Sequence, residues 1–259
     1  MRPDGDTTPV VSYVIAAHNS ATVIENTIEA AAKRLTGVPA EIIVVENGST
    51  DRTTEILAQA SADWPAHATP LIVTSSARGL GNAVRAGLAC SRGRVVVITA
   101  DDLPFGFDDL DAAEARGLGR DVIVIGSKAH PSSDVERSWK RTLLSTGYGV
   151  LRRLILGMKT ADPQGTYILD GAWGRAVGQQ TEETGFLITT EIAYAAELAG
   201  IRPVEVPIRL RESAHRTRIK VSDIYQMGAG LFQLRRRRRS LRGAASAAGT
   251  TFRGTEPAR

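Results

Sequence analysis

Between Arg94 and Leu103 the chain reads R-V-V-V-I-T-A-D-D-L. Val95 to Thr99 are β-branched and nearly all apolar, the composition of a strand buried on both faces, as in a parallel sheet. The run stops at two acids, Asp101 and Asp102. Open α/β sheets place ligands at the C-terminal ends of their strands. Carboxylates there suit a hard divalent cation, which takes oxygen ligands and shares itself with substrate phosphates. Acids after a strand also serve as turn and cap residues, and the local sequence leaves both readings open.

The flanking chain repeats the pattern. Val10 to Ala17 is a first buried strand, followed by His18, Asn19 and Ser20 and a helix from about Ala21 to Leu35. Glu41 to Val45 is a second strand, ending in Glu46-Asn47-Gly48-Ser49-Thr50-Asp51, with Thr50 or Asp51 placed to cap a helix over Arg52 to Ala62. Leu71 to Thr74 is a third strand, and Arg78-Gly79-Leu80-Gly81-Asn82 bends into a helix over Ala83 to Ser91. The alternation predicts an α/β fold with a mostly parallel central sheet and helices on both faces. Right-handed crossovers bring the loops after the strands to one edge. Those loops carry Asn19, Glu46 with Asn47, Arg78, and Asp101 with Asp102.

The second half is less regular. Asp121 to Ile125 reads as another strand. Glu136 to Gly157 is a long basic amphipathic stretch with apolar residues at helical spacing. Asp162-Pro163-Gln164-Gly165-Thr166 is a polar turn before Tyr167, and a helix starts at Thr190-Glu191. Pro203 to Leu210 alternates like a strand, and its internal proline predicts a sheet edge. Gly243 to Arg259 is small, polar and aperiodic, which predicts disorder. The expected organisation is a loose N-terminus over 1–9, one catalytic domain over 10–232 and a basic disordered tail over 233–259.

Composition narrows the class. The net charge of +4 owes much to one arginine run, Arg235 to Arg239, with Arg242 after it. A single cysteine, Cys90, excludes an internal disulfide and fits a reducing compartment. No stretch approaches the roughly 20 apolar residues of a membrane span. A cytoplasmic protein, peripheral on the inner face of a membrane, is expected. Nucleic-acid binding is disfavoured, because the basic run is confined to a tail and aromatics make up only 5% of the chain.

Five motifs in order carry a family resemblance. They are I-A-A-H-N-S at Ile15 to Ser20, V-V-E-N-G-S-T-D at Val44 to Asp51, R-G-L-G-N-A-V-R-A-G at Arg78 to Gly87, A-D-P-Q-G-T-Y at Ala161 to Tyr167, and E-V-P-I-R at Glu205 to Arg209. Together they resemble the family 2 glycosyltransferases of GT-A fold, in the polyprenyl-phosphate mannosyl- and glucosyltransferase branch of the dolichyl-phosphate mannose synthase type.

The resemblance implies transfer of a hexose, with inversion, from a GDP-mannose or UDP-glucose type donor to a polyprenyl phosphate. Ala17, Asn19, Glu46, Asn47, Arg78, Gly79, Gly81, Asn82, Ala100 and Asp101 fall on the nucleotide-sugar side. Asp102, Asp101, Asp162, Gln164 and Glu191 match catalytic and acceptor-side positions. Phosphate contacts are expected from Arg137, Arg141, Arg209, Arg211 and Arg216, with Arg218 beside them. Mg2+ or Mn2+ is expected on Asp101 and Asp102, although the acids depart from the family's D-x-D-leucine order. Anchoring on Leu103 makes Asp102 the second acid and puts Ala100 at the first. Anchoring on the strand aligns Asp101 with the second and Thr99 with the first. The altered acids also suit a second reading, a catalytically degenerate GT-A fold that binds a nucleotide-sugar or a partner. A homodimer, and docking of Trp139 to Leu156 and the arginine run on an anionic membrane surface, complete the expectations.

Overall fold

The computed structural model describes residues 8–135, 139–210 and 221–253. In chain order the elements are β1 Val11–Ala17, α1 Ile24–Arg34, β2 Ala40–Glu46, α2 Thr53–Asp63, β3 Leu71–Ser75, α3 Leu80–Cys90, β4 Val95–Ala100 and α4 Asp108–Ala115. There follow β5 Ile123–Ser127, α5 Trp139–Leu156, β6 Tyr167–Asp170, α6 Gly171–Gly178, α7 Ile188–Leu198, β7 Val204–Pro207, α8 Val221–Arg236 and α9 Arg238–Arg253.

The strands form one sheet in the order β3-β2-β1-β4-β6-β5-β7. The first four are mutually parallel, with Ala17 opposite Glu46 and Ala16 opposite Ala100. Side chains alternate between two apolar layers, as strand geometry requires. Tyr13, Ile15, Val44, Val95 and Val97 pack with α1, α2 and α4. Val14, Ala16, Val45, Val96 and Ile98 pack with α3, α6 and α7. Helix α3 lies close on the sheet because Gly87 is bare: a Cβ there would come within 2.3 Å of Val14 Cγ1.

Beyond β4 the sheet departs from a simple parallel winding. β6 is inserted between β4 and β5 and runs antiparallel to both. The expected edge is found: β7, which ends in Pro207, pairs only with β5 and closes the sheet.

The tail expectation is corrected. Over 233–253 the chain is helical, completing α8 and forming α9. Leu241, Ala245 and Ala248 of α9 are buried in the layer shared with α6 and α7. Their spacing of 3 and 4 is helical, but the stripe is mostly alanine, so its hydrophobic signal is faint while its burial is complete.

One buried acid gives a pH prediction. Asp109, at the start of α4, is 3% exposed. Burial, with the charge of Asp108 adding to it, raises its carboxyl pKa above the ordinary value. An acid raised in the fold holds its proton where the unfolded chain has lost it, so stability is full below the unfolded pKa and is lost as pH rises through the folded one. Urea midpoints of Asp109→Asn should therefore gain on the parent as pH climbs above 3.8. A gap that stays constant with pH would remove Asp109 from the pH dependence.

Candidate active site

The ends of β1, β2, β3 and β4 meet at one edge, and three loops there are joined by backbone-directed side chains. Asn47 is only 5% exposed. Its N–H donates to Ala17 O (3.0 Å), and its Oδ1 accepts from Gly79 N (2.7 Å). His18 Nδ1 lies 3.0 Å from Asn47 O. Asn19 sits at φ 54°, a conformation asparagine tolerates better than most residues. Its Oδ1 accepts from Thr50 N (2.7 Å), and Glu46 Oε1 accepts from Ser49 N (2.6 Å). Asn82 Nδ2 donates to Arg78 O (2.9 Å), which fixes the start of α3. The polar residues expected to face base and ribose thus first shape the rim on which a nucleotide would lie.

The Asp101 carboxylate turns inward. Asp101 Oδ2 accepts from His18 N (3.2 Å) and from the Ser20 hydroxyl. Its carbonyl accepts from Thr27 Oγ1 (2.6 Å). Burial raises its pKa, with the Ser20 and His18 hydrogen bonds acting against it. Ser20 therefore braces Asp101 instead of capping α1. Through this one carboxylate oxygen, Asp101 fastens the end of β4 to the β1 loop.

Thr99 is buried and hydrogen-bonds Tyr13, on the α1 side of the sheet. Ala100 belongs to the opposite face, with Ile98. Asp102 is half-exposed in the turn that follows. That turn is closed by Leu103 N to Ala100 O (3.4 Å), with Leu103 held at φ 44°. A branched residue held there stores strain of about 1–3 kcal/mol, and such strain gathers at functional sites. Of the two alignments, the geometry favours the one anchored on Leu103, with Asp102 as the second acid and no carboxylate at the first. Among the described residues no group of three or more His, Cys, Asp or Glu could hold a metal. The residues fit a cation taking one protein carboxylate, from Asp102, with its other oxygens from diphosphate and water.

The acceptor-side turn is built from three elements. Glu205 of β7 accepts from Ala161 N (2.9 Å), Asp162 N (3.0 Å) and Ser127 Oγ (2.7 Å). Asp162 Oδ2 accepts from Lys128 N (2.9 Å), and its Oδ1 accepts from Gln164 N (3.2 Å). Lys128 Nζ donates to Gln164 O (3.0 Å) and stands 5.4 Å from the Phe105 ring centroid. Lys128 was missed in the sequence. Its signal was the strand end Gly126-Ser127-Lys128, one position past β5. Gln164 and Arg209 are exposed, and Arg209 N donates to Asp108 Oδ2 (3.1 Å). Arg137, Arg211, Arg216 and Arg218 lie outside the described residues, as does the side chain of Arg141.

Glu191 is not at the acceptor turn. It is fully buried, and its Oε1 lies 2.6 Å from Arg237 Nη1. Its carboxylate accepts from Glu182 N and Glu183 N. Arg237 also reaches Glu182 Oε1 (3.0 Å) and Gln180 O (2.8 Å). The loop so held presses on the glycine bend: Gly81 N donates to Thr184 O (2.9 Å), and Arg85 Nη1 to Glu183 O (2.6 Å). A Cβ on Gly79 would fall 2.2 Å from Thr184 O, and one on Gly81 1.9 Å from Glu183 O. Both glycines are therefore needed for the loop's approach.

With this rim in place, the sequence was compared with known proteins. The profile described as Glycosyl transferase family 2 matches residues 12–170, from β1 to the end of β6. The chain belongs to glycosyl transferase family 2. Among curated relatives of this family 2 domain is the dolichyl-phosphate beta-glucosyltransferase of Drosophila melanogaster, 29% identical over 203 residues, 75% of this chain and 62% of that protein. Glycosyltransferase AglD of Haloferax volcanii is 29% identical over 231 residues, 86% of this chain and 36% of that protein. The domain therefore spans less than two thirds of the length of either relative. The glucosyl-3-phosphoglycerate synthase of Mycobacterium tuberculosis, solved with Mn2+, uridine-diphosphate and glucosyl-3-phosphoglycerate, has a TM-score of 0.61 at 21% identity, covering 89% of this chain and 80% of that one. That likeness is one of fold, and with the sheet order it agrees with the expected GT-A architecture.

Proposed function

We propose that this domain transfers a hexose from a nucleoside-diphosphate sugar to a polyprenyl phosphate, inverting the anomeric carbon. The observation that carries the reading is the gathering of the Asp102 turn and the bolted β1, β2 and β3 loops at the ligand-binding edge of a parallel sheet. The names of the relatives support a lipid-phosphate acceptor and favour glucose, and the Mycobacterium neighbour favours uridine.

The acceptor's phosphate oxygen attacks the anomeric carbon while the bond from that carbon to the diphosphate breaks, and the electron pair leaves with the nucleoside diphosphate. A phosphate is already ionised at neutral pH, so no strong general base is needed. Lys128, paired with Asp162, and the exposed Arg209 supply cations on the acceptor side. Asn47 and Gly79 hold the donor rim in one geometry, which lowers the cost of ordering at the moment of reaction. A Mg2+ or Mn2+ ion, when bound at Asp102, would neutralise charge on the leaving diphosphate.

The test is incubation with labelled UDP-glucose or GDP-mannose and a polyprenyl phosphate, read as label extracted into chloroform. Label from UDP-glucose in the organic phase is the expected result, and none from either donor would sink the reading. The tied Asp101 carboxylate favours a second reading, a non-catalytic nucleotide-sugar-binding module. In that case UDP with Mn2+ raises the melting temperature but no label moves.

A further inference from the structure

Away from the donor rim, the end of α5, the middle of α7 and the junction of α8 with α9 enclose a cavity of about 370 Å³. Arg235, Arg236, Arg238 and Arg239 line it, over a floor of Leu156 and Tyr194. Among the described residues none of these four arginines makes an ion pair, whereas their neighbour Arg237 turns the other way, to Glu182 and Glu191. Arg235 is steadied by donating to the Ile155 carbonyl at the end of α5. Four arginines therefore border one open pocket whose lining includes no acid. Arg238 and Arg239 also occupy the first turn of α9, where the helix dipole is unfavourable to positive charge. An anion in the cavity would relieve both repulsions at once. Burial pushes the Tyr194 hydroxyl pKa up, with Arg238 and Arg235 acting against it and Glu197 with it.

The surface beside the cavity is apolar. Leu154 is 74% exposed and Phe232 59%. Val150 and Leu151 share a face of α5 with Leu154, at spacings of 4 and 3, and Phe232 precedes Arg235 and Arg236 by 3 and 4 on α8. A chain of arginines feeding into a strip of exposed leucine and phenylalanine matches an amphipathic ligand, charged at one end and greasy at the other.

We propose that this cavity seats the phosphate of an anionic lipid headgroup, with the lipid's hydrocarbon against Leu154 and Phe232, so that the C-terminal helices hold the domain on a membrane surface. Guanidinium forks match phosphate oxygens two at a time, which makes the site more than a diffuse positive patch. The inference needs neither donor nor acceptor, so it stands or falls separately from the glycosyl-transfer reading.

The test is flotation of the whole chain with vesicles of phosphatidylcholine alone or with phosphatidylglycerol added, at fixed salt. The parent should float with the anionic vesicles only. The triple variant Arg236→Gln, Arg238→Gln, Arg239→Gln keeps Arg237 and Arg235 and so the buried ion pair. Its partitioning should fall about a hundredfold, from about 1 kcal/mol per basic residue near a charged surface. Leu154→Ser with Phe232→Ser should also weaken flotation while leaving the salt dependence in place. A circular-dichroism melt at the parent's temperature certifies that each variant is folded. Undiminished flotation of the triple variant would overturn the proposal. So would inorganic pyrophosphate binding to the parent without any anionic-vesicle binding, which would make the site one for free phosphate, or tighter binding to a single-stranded RNA oligomer than to the vesicles.

Discussion

Arg237→Ala is expected to destabilise the domain by about 3–5 kcal/mol, the cost of leaving a buried charge without its partner. The partner is Glu191, which is fully buried on α7 and pairs with Arg237 at 2.6 Å. Urea denaturation followed by circular dichroism checks it. Arg236→Ala and Arg239→Ala, whose side chains are exposed, should change stability by no more than about 0.5 kcal/mol. Removing both partners is the sharper measurement. Glu191→Gln with Arg237→Met leaves an amide able to accept from Glu182 N and Glu183 N and no orphaned charge, so the double variant should be more stable than Arg237→Ala alone. The same pair has a functional edge. It holds the loop of Glu182, Glu183 and Thr184, and that loop carries the carbonyls that fix Gly81 N and Arg85. Arg237→Ala should therefore weaken nucleotide binding under conditions where the protein is still folded, measured as a smaller melting shift on adding UDP. Stability equal to the parent's would mean the ion pair carries none of the fold's free energy.

The front half of the molecule was legible because its strands are buried on both faces and punctuated by glycine and Asx turns. Val10 to Ala17 and Glu41 to Val45 were read from composition, and β1 and β2 fall there to within a residue or so. Strand direction is another matter. Tyr167 to Leu169 follows a polar turn, and nothing in a run of three or four apolar residues says that it enters the sheet antiparallel between β4 and β5. That follows from where the long α5 excursion returns the chain. The α9 stripe was overlooked for a physical reason: Ala245 and Ala248 bury little area each, and what they contribute is closeness of approach to α6 and α7 rather than a strong apolar signal. At the site, the sequence named the rim residues but not what their polar atoms do. Asn47, Glu46 and Asn19 read equally as ligand contacts or as turn chemistry, and the fold uses each for a backbone hydrogen bond. Adjacent acids are the hardest case. Asp101 and Asp102 are equivalent in composition, and only the fold shows that Asp101 is tied to Ser20 and His18 N.

That separation should appear in the chemistry. Asp102→Asn is expected to lower hexose transfer about a hundred- to thousandfold, the size of losing several kcal/mol of charge stabilisation on the leaving diphosphate. Asp101→Asn should lower it less than about tenfold, because the amide oxygen can still accept from Ser20 and His18 N, the two donors that now define the carboxylate's place. The two variants should divide in the opposite sense on stability. Burial holds the Asp101 carboxyl pKa up, so the ionised form is disfavoured in the fold. Removing that charge should leave the melting temperature at neutral pH unchanged or raised, whereas Asp101→Ala strands the Ser20 hydroxyl and the His18 N–H and should cost about 1–3 kcal/mol. Metal dependence divides the same way. If Asp102 is the sole protein ligand, the Mn2+ concentration that half-saturates the UDP-induced melting shift should rise in Asp102→Asn and stay put in Asp101→Asn. Equal losses of activity in the two asparagine variants would return Asp101 to the reacting centre and undo the assignment made from its hydrogen bonds.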